Sequence, residues 1–275
     1  MSFKKNNVLP GFWPCFTYTI IYLFIIVILP LSGLIVYTME LSFDKFISIL
    51  SEPRVISSFK LTLRVAFLAA IFNSFLGLII SWVLVRYKFF GKKIIDAMID
   101  LPFALPTAIA GIALTNIYAQ NGLIGKHLTK FGLKIAFTPL GIILALMFVS
   151  LPFVVRTLEP ILQDFDSEVE EAAASLGASR FYIFVKIILP NIMPAILTGF
   201  ALAFARGLSE YGSVIFIAGN IPKFSEIVPL VIITKLEQYD YNGATAIALV
   251  MLIISFILLL LINMLQKYSN RHNIV

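Results

Sequence analysis

Long apolar segments separated by shorter polar ones run through most of the chain. A helix needs roughly 20 mostly apolar residues to cross the hydrocarbon core of a bilayer. Six segments come near that length: 16–37, 65–85, 99–119, 140–158, 190–216 and 244–265. The pattern therefore predicts an all-α membrane protein with six transmembrane helices and both termini on one side. The first segment is too long for a signal-peptide core and lacks a small-residue cleavage site, so we expect it to be retained.

The segment between the fourth and fifth spans is polar and contains EVEEAAASLGASRFYIFVKIILPN from residue 168. Ser167 and Glu170 have the spacing of a capping box, which predicts a helix start. Gly177 is placed to end that helix in the left-handed conformation. The apolar residues between them recur at helical spacing and predict one small face: Val169, Ala172, Ala173 and Leu176. We expect a short amphipathic helix followed by a lead-in to the fifth span.

Composition and charge narrow the class of protein. Hydrophobic residues make up 60% of the chain and charged residues 13%, which is not the profile of a soluble domain. The net charge of +6 comes largely from Lys and Arg residues that are dense in a few segments. A six-span topology puts these segments on one side of the membrane, which we take as cytoplasmic. The positive charge therefore indicates membrane orientation and not nucleic-acid binding. Those residues are Lys4, Lys5, Arg86, Lys88, Lys92, Lys93, Arg180, Lys186, Lys267 and Arg271.

Catalytic chemistry has little support in the sequence. Cys15 is the single cysteine and the two histidines lie far apart, so neither an intramolecular disulfide nor a metal site is expected. No GxxxxGK[ST] phosphate cradle occurs. We therefore expect no enzyme activity and no cofactor bound by this chain.

Several segments resemble one family of transport proteins. The polar segment resembles the EAA motif, which marks the membrane subunits of binding-protein-dependent ABC importers. The matching residues are Glu171, Ala172, Ala173, Gly177, Ile187, Leu189 and Pro190. DLPFALPTAIAGIAL, SLPFVVRTLEPIL and GFALAFARGLSEYGSVIFIAGN are similar to sulfate/thiosulfate permeases, in particular their T-type subunit. The resemblance covers 58–265, with the coupling loop at 163–190. Two segments lie outside the resemblance. Residues 1–57 are expected to form an N-terminal cytoplasmic tail, the first transmembrane helix and an outer loop, and residues 266–275 a cytoplasmic tail.

The resemblance implies a type I ABC permease fold and the import of sulfate, or thiosulfate. ATP would be hydrolysed by a separate ATP-binding subunit docked on the 163–190 loop, where Leu176 offers an apolar anchor. A second permease chain, in a heterodimer, and a soluble sulfate-binding protein are the other expected partners. A molybdate or tungstate permease and a secondary anion transporter without an ATPase remain open alternatives. The Ile-, Phe-, Lys- and Asn-rich composition suits the AT-rich genome of a bacterium or plastid, so the bacterial plasma membrane and plastid inner membrane both remain possible.

The fifth span carries the most informative membrane residues. A stripe of small residues spaced by four predicts close helix packing, within the chain or with the second permease: Ala195, Gly199, Ala203 and Gly207. Arg206 and Glu210 lie one turn apart and are expected either to neutralise each other or to line the pore at a gate with Ser209 and Ser213. Pro102 and Pro106 predict either a defined entry to the third span or a broken helix.

Overall fold

The structure is a computed structural model that describes residues 11–272, with side chains described as far as Met264. The helices are, in chain order, α1 (Phe12–Met39), α2 (Phe43–Leu50), α3 (Pro53–Arg86), α4 (Lys92–Ile99), α5 (Leu101–Ala104), α6 (Thr107–Tyr118), α7 (Gly125–Lys130), α8 (Pro139–Gln163), α9 (Ser167–Ser175), α10 (Arg180–Leu208), α11 (Val214–Ala218), α12 (Val228–Glu237) and α13 (Tyr241–His272). The all-α prediction is confirmed for this part of the chain. Lys4, Lys5 and the side chains of Lys267 and Arg271, used above for topology, lie outside it.

Five of the helices are long and apolar enough to cross a membrane: α1, α3, α8, α10 and the described part of α13. The prediction of a continuous third span at 99–119 is wrong. Leu105 has an extended backbone (φ −90°, ψ 134°), as expected for a residue that precedes proline. The apolar helix α6 that follows has only 12 residues. At 1.5 Å per residue it is about 18 Å long, short of the ~30 Å hydrocarbon core.

The fifth span is also displaced from its predicted bounds, since the apolar helix covers Arg180–Leu208 instead of 190–216. It ends at Leu208 and not near Phe216, because the chain turns at 209–213 before α11. The carboxylate of Glu210 accepts hydrogen bonds from the backbone N–H and the hydroxyl of Ser213, at 2.8 and 2.9 Å. A side chain that bonds nearby backbone in this way competes with helical hydrogen bonding. The turn therefore ends α10 eight residues before the predicted end of the span.

Small residues hold α3, α8 and α10 together. A Cβ placed on Gly77 of α3 would lie 2.6 Å from Val154 Cγ1, and one on Gly199 of α10 would lie 3.1 Å from Val154 Cα. Gly207 meets Ala66 of α3 in the same way, at 3.4 Å. The predicted stripe of small residues on α10 thus packs against this chain's own helices, and Ala195 and Ala203 are buried with it.

The bundle has two distinct ends. The 163–190 end also holds segment 87–106, which is tied to α8 through Arg156 and its partners Asp96 and Asp100. The opposite end is formed by segments 40–52, 119–138 and 214–240. There the Arg54 guanidinium donates to both carboxylate oxygens of Glu226, at 2.7 and 2.5 Å. Each end is therefore fixed by its own ion pairs.

Candidate functional site

The helix predicted in the 163–190 loop is present as α9. Its N-terminal cap is Asp166, whose Oδ1 accepts from the Glu168 N–H at 2.9 Å, so the predicted cap at Ser167 is one residue too late. Gly177 has φ +85°, as predicted. The N–H groups of Gly177 and Ala178 donate to the carbonyls of Ala174 and Ala173, at 2.9 and 3.1 Å. This pair of bonds is a Schellman motif, which needs the left-handed residue at Gly177.

One face of α9 is bound to the bundle. Glu170 forms an ion pair with Arg86, the last residue of α3. The Arg86 guanidinium also lies 5.2 Å from the Trp82 ring centroid and 6.0 Å from that of Phe165. Ala173 packs against the core on the same side. The predicted single apolar face is therefore wrong at Ala173, since Ala173 points inward with Glu170 instead of outward.

The opposite face of α9 is free in this chain. Leu176 is 89% exposed and Val169 is 46% exposed, and Ala172 and Glu171 lie beside them at the surface. A shallow pocket of about 330 Å³ opens between α9 and the start of α10, where Glu171 and Arg180 face apolar Phe184. The exposed leucine on this short helix and the pocket beside it together form the most accessible apolar surface of the 163–190 loop.

The later residues of the motif connect α9 to the membrane helix. Ile187 lies in a π-helical turn, Phe184–Ile188, and packs with Leu189 against the core. Pro190 follows at the surface in the first turn of the regular α-helix. These three residues therefore belong to the link between α9 and the membrane helix, and not to the exposed face of α9.

Arg206 and Glu210 form the predicted ion pair, at 2.7 Å. The two side chains differ in exposure: Glu210 is 2% exposed, whereas Arg206 is 30% exposed. Ser213 is buried with Glu210, and Ser209 lies at the surface next to Arg206. The pairing is confirmed, and it leaves the guanidinium as the accessible member.

The broken third span begins against this pair. A Cβ on Gly212 would lie 2.2 Å from Thr107 Oγ1, and a Cβ on Gly111 would lie 2.4 Å from the Ser213 carbonyl oxygen. The start of α6 therefore abuts the turn that holds Glu210. This contact was not predicted from the sequence. Pro106 and the glycines of the two segments, Gly111 and Gly212, are the residues that could have indicated it.

A second charged cluster, around Arg156, was also not predicted from the sequence. Arg156 of α8 donates to Asp100 through Nε at 2.9 Å and through Nη2 at 2.6 Å. Its Nη1 donates to Asp96 at 2.7 Å and also to Glu159. Asp100 is the residue between α4 and α5, so the cluster fixes the segment that leads into the broken span. The Asp-Leu-Pro sequence marked a helix entry, but its partner 56 positions away gave no local signal.

Comparison with known proteins gives a consistent result. Residues 73–274 match the family described as binding-protein-dependent transport system inner membrane component. The chain is 48% identical over 267 residues to the probable sulfate transport system permease protein cysT of Nephroselmis olivacea, covering 97% of this chain and 93% of that protein. It is 45% identical over 268 residues to the corresponding protein CysT of Escherichia coli, with 98% and 97% covered.

Solved structures show the same fold at low sequence identity. A bacterial ABC transporter that imports the acidic polysaccharide alginate superposes with a TM-score of 0.78 at 17% identity, over 94% of this chain and 95% of that chain. An amino acid ABC transporter superposes with a TM-score of 0.55 at 22% identity, over 84% and 99%. The type I permease architecture expected from the sequence is therefore the observed fold.

Proposed function

Because this chain belongs to the family of binding-protein-dependent transport system inner membrane components, we propose that it is a pore-forming subunit of an ATP-driven importer of sulfate. The proposal rests above all on the identity of 45–48% with sulfate permeases over nearly the full length of both chains. Thiosulfate, which the resemblance of the motifs implies, is a second proposed substrate. Molybdate or tungstate is the alternative anion, since these are tetrahedral dianions too.

The ATP-binding subunit docks on the outward face of α9. Leu176 inserts into the motor subunit, Ala172 allows close approach, and Glu171 meets basic groups at the rim. Movement of α9 passes to α3 through the Glu170–Arg86 ion pair and to α10 through the Schellman turn at Gly177. This chain supplies no residue to ATP hydrolysis.

The anion passes along the exposed face of α10. Arg206 offers guanidinium donors there, with Ser209 one turn nearer the end of the helix. Glu210 neutralises part of that charge, so the anion is attracted but released. Thr107, at the start of the broken helix, lies next to the same turn. A half-helix whose N-terminus lies within a bundle favours anions, as in other transporters with interrupted helices.

The positions of the remaining partners are assigned from the exposed face of α10 and from the two ends of the bundle. A second permease chain, different from this one, covers the exposed face of α10 and closes the path. A soluble sulfate-binding protein delivers substrate at the end opposite the 163–190 loop. That loop and both termini then face the cytoplasm of a bacterium or the stroma of a plastid. The membrane is the bacterial plasma membrane or the plastid inner membrane.

Uptake of labelled sulfate into proteoliposomes holding the full complex tests the proposal. Uptake that needs internal ATP and the binding protein supports an importer. Uptake without ATP would indicate a secondary transporter instead, and stronger competition by molybdate than by unlabelled sulfate would reassign the substrate.

The role of Arg206 needs a matched pair of variants. Arg206→Gln leaves a buried carboxylate without its cation, which harms folding as well as transport. The double variant Arg206→Gln, Glu210→Gln removes both charges. We expect the double variant to assemble normally and to lose most sulfate uptake. Normal uptake by the double variant would leave the pair with a packing role alone.

A further inference from the structure

A pocket of about 550 Å³ lies between α3 and the first turns of α8, at the end opposite the 163–190 loop. Most of its wall is apolar, with Leu61, Leu68 and Ile143 among the lining side chains. Two cationic residues also line it: Arg64 of α3 and Lys134 of the segment before α8. The lining contains no acidic residue. The pocket therefore joins an apolar wall to two positive charges.

Those charges have no counterion in the described part of the chain. No carboxylate there lies within 4.0 Å of Arg64 or Lys134, whereas Arg54 pairs with Glu226 and Lys235 with Asp240 at the same end. The sequence has no Asp or Glu at all from 101 to 158. Both side chains are exposed, so an anion from outside the chain can reach them and supply the missing counter-charge.

The depth of the pocket indicates what kind of anion. Thr138 and Pro139, where α8 begins, form part of its rim, so the two cations lie near the end of the spanning helices. Leu68 and Ile143 each lie about one turn further along their helices, roughly 6 Å deeper. Positive charge at the rim with an apolar wall below it has the polarity of a phospholipid at the edge of a bilayer.

We propose that this pocket binds one acidic phospholipid, with its phosphate between Arg64 and Lys134 and one acyl chain along Leu68 and Ile143. A free inorganic anion satisfies the same two cations but leaves the apolar wall uncovered. The lipid satisfies both parts of the site. It also fixes segment 119–138 to α3 at the end where the soluble partner arrives.

Native mass spectrometry of the assembled complex tests this site. Phosphatidylglycerol and phosphatidylcholine are offered in equal amounts to wild type, to the variant Arg64→Gln, Lys134→Gln and to the control Lys126→Gln, Lys130→Gln. The control removes two cations of α7 that do not line the pocket. We expect wild type and the control to retain phosphatidylglycerol over phosphatidylcholine, and the pocket variant to lose that preference. Arg64→Lys, Lys134→Arg, which keeps both charges, should restore it.

Four results would overturn the proposal. Equal retention of the two lipids by wild type would show no headgroup recognition, and an undiminished preference in the pocket variant would place the lipid elsewhere. Displacement of the lipid by inorganic sulfate or phosphate would assign the cations to a free anion. Absence of lipid from the complex, combined with its presence on the isolated chain, would mean that the second permease covers the pocket. None of these results bears on sulfate import itself.

Discussion

Arg86 at the end of α3 is ion-paired with Glu170 in the middle of α9. The two residues lie 84 positions apart in sequence. The pair joins the short helix of the 163–190 loop to the longest described helix of the bundle, and the ring of Trp82 covers the guanidinium. Glu170 is thereby held within this chain, whereas Glu171 lies exposed at the surface.

Removal of this ion pair should uncouple the motor from the membrane helices. Glu170→Gln leaves Arg86 partly buried without its carboxylate, a cost of roughly 1–3 kcal/mol that loosens α9. We expect substrate uptake by reconstituted vesicles to fall several-fold while the complex still assembles. Glu168→Gln, at an exposed position on the same helix, is the matched control and should behave as wild type.

The charge-reversed variant Arg86→Glu, Glu170→Arg completes this test. It should regain part of the lost uptake, since the two groups can still pair across the same gap. If Glu170→Gln and Glu168→Gln have the same effect, the ion pair does not transmit movement.

Gly177 should tolerate asparagine better than alanine. No atom lies within 4 Å of a Cβ built there, so the constraint is the backbone conformation at φ +85° and not space. Alanine in the left-handed region costs about 1 kcal/mol, whereas asparagine enters it more readily. We expect Gly177→Ala to lower coupled uptake more than Gly177→Asn does. Equal uptake by the two variants, measured at equal complex levels, would argue against the Schellman turn as the link to α10.

Gly111 should be intolerant of any side chain. An added Cβ would lie 2.4 Å from the carbonyl oxygen of Ser213, a backbone atom that cannot rotate away. Overpacking of this kind costs about 1–3 kcal/mol. We expect Gly111→Ala to lower the unfolding temperature in detergent by several degrees and to reduce uptake.

Gly33 in α1 provides the matched control. Nothing lies within 4 Å of a Cβ at that position, so Gly33→Ala should be neutral or slightly stabilising through its helix propensity. A similar loss in the two variants would mean that glycine is needed in both helices for a reason other than space.

The parts of the fold that could be predicted from the sequence are those that depend on residues close together in the chain. Apolar length predicted six spans, of which five are helices long enough to cross a membrane, and the left-handed turn at Gly177 followed from residues within one short segment. The break at Pro106 was visible as a proline, but the choice between a helix entry and a broken helix depended on what packs beside it. That information lies in the contact between Gly111 and Ser213, about 100 positions away.

The same distinction applies to the charged sites. Arg206 and Glu210 were paired from their spacing of four, which places two residues on one face of a helix, and the ion pair forms although Glu210 lies in the turn after α10. Arg156 and Asp100, 56 positions apart, were not paired, because only the folded chain brings α8 next to the segment between α4 and α5. Ala173 was assigned to the wrong face since the pattern of apolar residues cannot show which side of a helix the bundle covers.

Acid should lower the stability of the bundle at the end away from the 163–190 loop, because Asp240 becomes protonated there. Burial raises the pKa of this carboxyl, but the Gly243 N–H at 2.9 Å and the Lys235 ammonium at 3.0 Å, with Lys45 further away, outweigh that effect and hold the pKa below its usual value. A carboxyl whose pKa is lower in the folded state binds its proton more readily when unfolded. Its stabilisation is therefore present above the unfolded pKa, near 3.9, and is lost as pH falls through the lower folded value.

Unfolding temperatures of the detergent-solubilised chain between about pH 7 and pH 2 measure this contribution. Asparagine at position 240 still accepts the Gly243 N–H as a helix cap but carries no charge for Lys235. We expect Asp240→Asn to be less stable than wild type at pH 7 and to approach it only as pH falls from the unfolded value near 3.9 through the lower folded pKa of Asp240, where the carboxyl is protonated in both states. Asp44→Asn, an exposed position without an ion pair among the described residues, should run parallel to wild type throughout. A constant difference between Asp240→Asn and wild type across the whole pH range would show that the charge of Asp240 contributes nothing to stability.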